Sequence, residues 1–220
     1  MKDIIVHRPT CDLVHIIPAG PFHVQEQTNM LVTKVDAARR QLITAIRLFF
    51  DRGDPVSVYS LASNAWEIID VLCTSAGVES FSKQVREDLP ARHTLKYYIN
   101  EPYRNFFKHA ERDPNPDSSV ELREANVAAI LFLAVEDYIR FRQGGPIEAQ
   151  VFQLWFIAVF PEKVSEDDPV AQSKLESTRL VFPGIATRAS SDQIDMGRQV
   201  LEAARKDAGL AADPQTEPSL

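Results

Sequence analysis

Residues 29–77 read NMLVTKVDAARRQLITAIRLFFDRGDPVSVYSLASNAWEIIDVLCTSAG, and this stretch decides the fold. In its first half Leu31, Val35, Ala38, Leu42, Ile46 and Phe49 recur every three or four residues. That spacing gathers side chains on one face of an α-helix. It predicts a helix over about 29–52, stopped by Gly53. Asp54 then stands at a cap position and Pro55 at the first helical position, where its missing N–H costs nothing. The second helix runs to about Ser75, with Gly77 as its stop. Two long helices joined by a tight turn begin a bundle.

Outward from this hairpin the same signals continue. A short helix is expected at 82–89, broken by Pro90. A third long helix follows at about 91–110. Pro102 lies inside it and predicts a kink, or a restart capped by Asn100. Asp113-Pro114-Asn115-Pro116-Asp117 is a turn. Ser118 or Ser119 caps a fourth long helix to about Phe141, with Leu122, Ala125, Ala129, Phe132 and Leu133 inward. Gly144-Gly145-Pro146 breaks the chain. A fifth helix, 147–160, is almost entirely apolar and belongs in the core or at a subunit interface.

The two ends are harder to read. Residues 1–28 carry short extended pieces, Ile4-Ile5-Val6 and Leu13-Val14-His15-Ile16-Ile17, broken by Pro9, Pro18 and Pro21. They are expected to form an N-terminal arm. After Pro161 the pattern weakens into a polar linker at 166–169, one further helix at 192–208 and a frayed end. The expected architecture is mainly α: a bundle of four to five long helices spanning 29–160, with an irregular N-terminal arm and an acidic C-terminal extension, 161–220.

The net charge of −7 argues against a sequence-blind coat on nucleic acid, which needs a broad basic face. The charge is uneven, however. Residues 83–112 hold seven Lys/Arg against four Asp/Glu, and residues 34–52 hold five against two. From 161 onward the balance is seven against eleven. A locally basic bundle suits a small phosphate site better than a long groove. No apolar stretch approaches a membrane span, and the start MKDIIVHRPT lacks the apolar run of a secretory signal. Cys11 and Cys73 offer no disulfide framework. A cytoplasmic protein without a membrane partner is the expectation.

Chemistry concentrates in Arg104-Asn105-Phe106-Phe107-Lys108-His109. An arginine followed by four to six residues and a histidine occurs three times: Arg8…His15, Arg86…His93 and Arg104…His109. With 16 Arg and 5 His, roughly one match is expected by chance. The first two contain prolines. Only the third sits within one expected helix, and only it has an amide directly after the arginine. Cleaving RNA without a metal needs a base for the 2′-hydroxyl, an acid for the leaving oxygen and positive charge on the phosphorane. Histidine moves protons near neutral pH, and arginine holds phosphate oxygens bidentately. Asn105 and His109, four apart, share a helix face; Arg104 lies about 100° further round.

R-N-x-x-x-H late in a helix of such a bundle resembles the HEPN superfamily (higher eukaryotes and prokaryotes nucleotide-binding). The resemblance covers helix order over about 30–160 and is specific over 104–109. It implies a metal-independent endoribonuclease, or an RNA-binding relative, of a bacterial defence or toxin–antitoxin system. It also implies a homodimer in which two motifs face each other. Arg104 and His109 match the catalytic pair and Asn105 the usual polar residue. The implied products are a 2′,3′-cyclic phosphate and a 5′-hydroxyl, and no cofactor is implied.

Other residues join this reading as further contacts. Lys108 and Arg112 flank the motif, Arg40 and Arg47 lie on the first helix, and Asn64 and Glu67 stand on a polar stripe of the second. Each has an ordinary alternative. Lys108 and His109 satisfy a helix macrodipole, the stripe is a solvated face, and Asp36-Arg40-Thr44-Arg47-Asp51 is intrahelical pairing. Tyr97, Tyr98, Tyr103, Phe106 and Phe107 surround the motif as stacking platforms or, for the phenylalanines, as core. His7, Cys11, His15 and His23 would sit about 13 Å apart in an extended arm, too far for one metal ion. No phosphate-loop, dinucleotide-binding, serine-hydrolase or zincin motif is present. A non-catalytic module for oligomerisation or protein interaction, or an antitoxin-like partner, is the competing reading.

Overall fold

The turn at Gly53-Asp54-Pro55 joins two antiparallel helices, α1 (Lys34–Phe50) and α2 (Pro55–Ala76). The structure, a computed structural model, describes residues 30–90 and 93–220. The expected N-terminal arm, its His/Cys set and the Arg8…His15 pair lie outside the described residues. Thr33 caps α1 by accepting the Asp36 N–H, so this helix starts later than its apolar spacing predicts. The Asp54 carboxylate accepts the Ser57 N–H, and Gly77, at φ 68°, closes α2 in the left-handed region that glycine tolerates.

The remaining elements are α3 (Phe81–Asp88), α4 (Leu95–Ile99), a π turn (Asn100–Arg104), α5 (Asn105–Lys108), α6 (Glu124–Arg142), α7 (Ile147–Val159), α8 (Pro169–Val181), α9 (Ser190–Ala204) and α10 (Ala208–Ala212). Two short strands, β1 (Gly145–Pro146) and β2 (Thr216–Glu217), pair in parallel. Val32–Leu220 is one compact unit. α2 packs between α1 and α6, and α7 packs on α1, α6, α8 and α9. The fold is mainly α, as the periodicity predicts.

α7 sits at the centre and is buried on nearly every side. Its Phe152 and Trp155 meet Phe49 and Phe50 of α1 with ring centroids 5.2–5.9 Å apart, mostly edge to face. α9 closes over this cluster. Trp155 Nε1 donates to the Gln193 carbonyl at 2.7 Å, and Gly197 lets the helix settle on Phe50. A β-carbon there would stand 2.2 Å from that ring. A second buried network ties α3 to the bundle. Trp66 Nε1 donates to Ser82 Oγ at 2.8 Å, and the Ser82 hydroxyl and N–H both donate to the buried Asp137 carboxylate. Burial pushes the Asp137 carboxyl up, against the opposing pull of its Ser82 bonds.

Several expectations need correction. The third long helix is not continuous α. Pro102 has no N–H for the turn before it, and the chain widens so that Asn105 N–H reaches the Asn100 carbonyl. The Asn100 side chain caps no restart of the helix; its backbone ends α4, and its Oδ1 is buried without a partner among the described residues. α6 begins at Glu124, not at Ser118 or Ser119. Residues 119–123 alternate exposed and half-buried, the signature of extended chain, with Val120 and Leu122 on the core. Leu133 is buried and Phe132 packs on the core as expected, and they are joined by Val127, Ala128, Ile130, Leu131, Ala134, Val135 and Tyr138, whereas Ala125 and Ala129 are exposed. The wide apolar arc of this helix is rotated by contact with both α2 and α7. Finally, 161–220 holds two substantial helices, α8 and α9. Residues 215–219 are hydrogen-bonded across the bundle rather than frayed.

Candidate functional site

The segment 94–109 presents two faces. Thr94 caps α4 by accepting the Tyr97 N–H at 3.2 Å. Tyr103 is buried and Phe107 half-buried against Tyr59 of α2, with centroids 5.0 and 6.1 Å away. The Tyr59 hydroxyl donates to the Ile99 carbonyl at 2.9 Å, fixing the segment at the start of the π turn. Burial pushes the Tyr59 phenol above its ordinary range, so this donor keeps its proton.

Arg104 belongs to the inner face. Its Nε and Nη2 donate to Asn64 Oδ1 at 3.2 and 3.1 Å, and Nη2 lies 2.6 Å from Glu67 Oε2. Lys96 reaches the other Glu67 oxygen at 2.7 Å. Burial raises the Glu67 carboxyl, but the Lys96 bond and the Arg104 charge outweigh it and hold the group below the usual range. The Arg104 side chain is 15% exposed. It staples the π turn to α2, and its charge is already met by a carboxylate.

Asn105, Phe106 and His109 belong to the outer face. With Glu101, Ala110, Arg112 and the turn 113–118 they line an open cleft of about 390 Å³. The far wall is built by that turn, where Asn115 and Asp117 N–H groups donate to the side chains of Asp113 and Asn115. His109 ends α5. Its N–H still donates to the Asn105 carbonyl at 2.9 Å, but φ −119° and ψ 66° take it out of the helix. The two side chains therefore share a cleft although they do not share a helix. His109 Nδ1 lies 2.9 Å from Glu111 Oε1, and the Asn105 amide donates to Glu101 at 2.8 Å. A backbone hydrogen bond, helped by His109, holds the Glu111 carboxyl below its ordinary range. When Nδ1 donates to Glu111, the neutral ring presents Nε2 as a base toward the cleft.

The charges of this cleft are mixed. Glu101, Glu111 and Asp113 surround it against Arg112, whose contact with Glu101 is long at 3.9 Å and exposed. Lys108 is exposed beside it. One chain supplies a proton-transfer group and an amide here, without a ready phosphate clamp.

The other expected contacts fall elsewhere. Asn64 and Glu67 hold Arg104 and do not line the His109 cleft. Arg40 pairs with Asp36 at 2.7 Å, one turn back, as intrahelical pairing predicts. Arg47 does not pair within α1; it reaches Glu148 of α7 at 2.8 Å. Phe106 is exposed at the cleft rather than in the core. Sequence reasoning missed Glu101 and Glu111 as partners of Asn105 and His109. The four-residue spacing from Glu101 to Asn105 was the available signal.

A separate apolar cavity of about 350 Å³ lies beside Tyr103 and Asn126, between α2, α3, α4, α6 and α7. Its lining carries one cation, Lys163, and no histidine, carboxylate or thiol. Of these two recesses, the one lined by an imidazole is the His109 cleft. Among the described residues no group of three His, Cys, Asp or Glu side chains is placed to hold a metal ion, and no helix is long and apolar enough to cross a membrane. In comparisons with known protein families, curated proteins and solved structures, nothing matches this chain.

Proposed function

We propose that the chain acts on RNA in the manner of the HEPN superfamily, as a metal-independent endoribonuclease or its RNA-binding relative. His109 is the proton-transfer group and Asn105 orients the ribose or the imidazole. The observation that carries this reading is the cleft itself: His109 and Asn105 open on one solvent-accessible recess, with Glu111 holding the far ring nitrogen. A carboxylate hydrogen-bonded to one ring nitrogen fixes the tautomer and orientation of a histidine. Arg112 in the lining and Lys108, exposed one residue before His109, are the cations available to meet phosphate, and Arg104 acts as a positioning residue through α2.

The mixed charge of a single cleft calls for a second one. Two clefts across a twofold axis would add Arg112 and Lys108 from each copy and place two histidines on opposite sides of a phosphodiester. One would take the 2′-hydroxyl proton and the other would protonate the 5′-oxygen as it leaves. The test is cleavage of labelled single-stranded and structured RNA in EDTA by wild type and His109→Ala. Cleavage lost in a folded variant supports the reading; no cleavage by either protein, and no RNA bound, removes it.

One observation favours a second reading. The Arg104 guanidinium is committed to Asn64 and Glu67, which suits a folded interaction module as well as a live site. In that case His109→Ala leaves every RNA measurement unchanged.

A further inference from the structure

Residues 215–219 lie in a groove as a bound peptide would, and each of the five makes a contact of its own. The Gln215 carbonyl accepts the Gly145 N–H at 2.9 Å. Gly144 allows that approach, because a β-carbon there would sit 2.3 Å from the same oxygen. Thr216 and Glu217 pair in parallel with Gly145 and Pro146, and Gln150 donates to Thr216 Oγ1. The Glu217 carboxylate accepts the Tyr138 hydroxyl and the Arg142 Nε, the latter at 2.5 Å. The Pro218 carbonyl accepts Arg39. The Ser219 hydroxyl donates to Glu148 at 2.5 Å and accepts from Arg47 at 2.8 Å.

The groove is specific in charge as well as shape. Arg39, Arg47, Arg142 and Arg205 surround it against Asp36 and the buried Glu148, so it is short of one or more negative charges until Glu217 enters. The tether is exposed: no residue of α10 is buried. Backbone pairing supplies affinity and the side-chain pockets supply selectivity, which is how a sheet edge recognises an extended peptide.

We infer that this groove is a recognition site for an extended acidic segment of a partner chain, a carboxylate followed two residues later by a hydroxyl. Residues 215–219 fill it in cis and hold it closed. A short tether gives the cis segment an effective concentration on the order of millimolar. A segment that binds in trans at about 10–100 μM is then weakened about 10–100-fold by self-competition.

The test is a fluorescent peptide of residues 213–220 titrated into three full-length proteins. These are the wild type, a chain with 215–219 replaced by glycine and serine, and the milder Glu217→Ala/Ser219→Ala chain, which retains the backbone pairing. The expected result is saturable binding to both altered chains, at least ten-fold weaker binding to wild type, and a several-fold loss when the peptide carries Glu217→Gln. Absence of saturable binding to an altered chain that melts cooperatively overturns the inference. Equal affinity for all three proteins, or indifference to Glu217→Gln, does the same.

Discussion

Replacing Glu148 by Gln tests the most concentrated electrostatic feature of the fold. Glu148 is fully buried on α7, and its Oε1 receives Arg47 and Arg205, each through Nε and Nη2 at 3.2 and 2.8 Å, as well as Ser219. Breaking a buried pair costs about 3–5 kcal/mol, because a charge is left without its partner. Here the orphaned charges are guanidiniums that are about one-third exposed, and water recovers part of the loss. The amide oxygen of glutamine still accepts a hydrogen bond of about 1 kcal/mol. The expected destabilisation is about 2–3 kcal/mol, or roughly 5–10 °C in melting temperature for a chain of this size.

The pH dependence carries a sign. Burial raises the Glu148 carboxyl, but the bonds from Ser219, Arg205 and Arg47 outweigh it and hold the group below the usual range. A lowered folded-state pKa gives stability that is present above the unfolded value of about 4.3 and lost as pH falls through the folded one. Urea unfolding at pH 7 is expected to show the full gap between wild type and Glu148→Gln, and the gap is expected to narrow as pH drops below that value. A difference under about 0.5 kcal/mol at pH 7, or one that widens on acidification, refutes the assignment of Glu148 as a charged hub.

Three further outcomes follow from the packing. Gly197→Ala drives a β-carbon toward Phe50; overpacking of about 1–3 kcal/mol is partly offset by the helix propensity of alanine, and urea unfolding is expected to show a net loss. Ser82→Ala removes the acceptor of Trp66 Nε1 and one donor to Asp137, both buried, and is expected to cost about 2–4 kcal/mol by thermal or urea unfolding. Arg104→Gln is expected to cost about 1–2 kcal/mol and to show coupling with Glu67→Gln in a double-mutant cycle. A purely additive cycle would argue against Arg104 as the staple of the π turn.

What the sequence revealed depended on local signals. The α1–α2 hairpin and α7 were legible because Gly53, Asp54, Pro55 and Gly77 punctuate strong periodicity and because 147–160 is apolar throughout. The start of α6 was misread because Ser118 and Ser119 are good caps in isolation. Tertiary contact instead draws Val120 and Leu122 onto the core in extended chain. The π turn needed knowledge of how Tyr103 and Phe107 seat on Tyr59, which fixes where the extra residue must go. Glu148 was the one charge at the head of an apolar helix, a usable clue, but its partners Arg47 and Arg205 lie 101 and 57 residues away. At the candidate site, the spacing of Asn105 and His109 was informative because one turn of backbone still joins them. The direction of Arg104 was not, since it is set by Asn64 and Glu67 forty and thirty-seven residues earlier in the chain.

The most direct measurement of the functional claim is the chemistry of the RNA ends produced in EDTA, compared between wild type and His109→Ala at equal folded concentration. The account expects 2′,3′-cyclic phosphate and 5′-hydroxyl ends from wild type and none from the variant. Fragments that carry 5′-phosphates, or cyclic-phosphate ends that persist without His109, would contradict it.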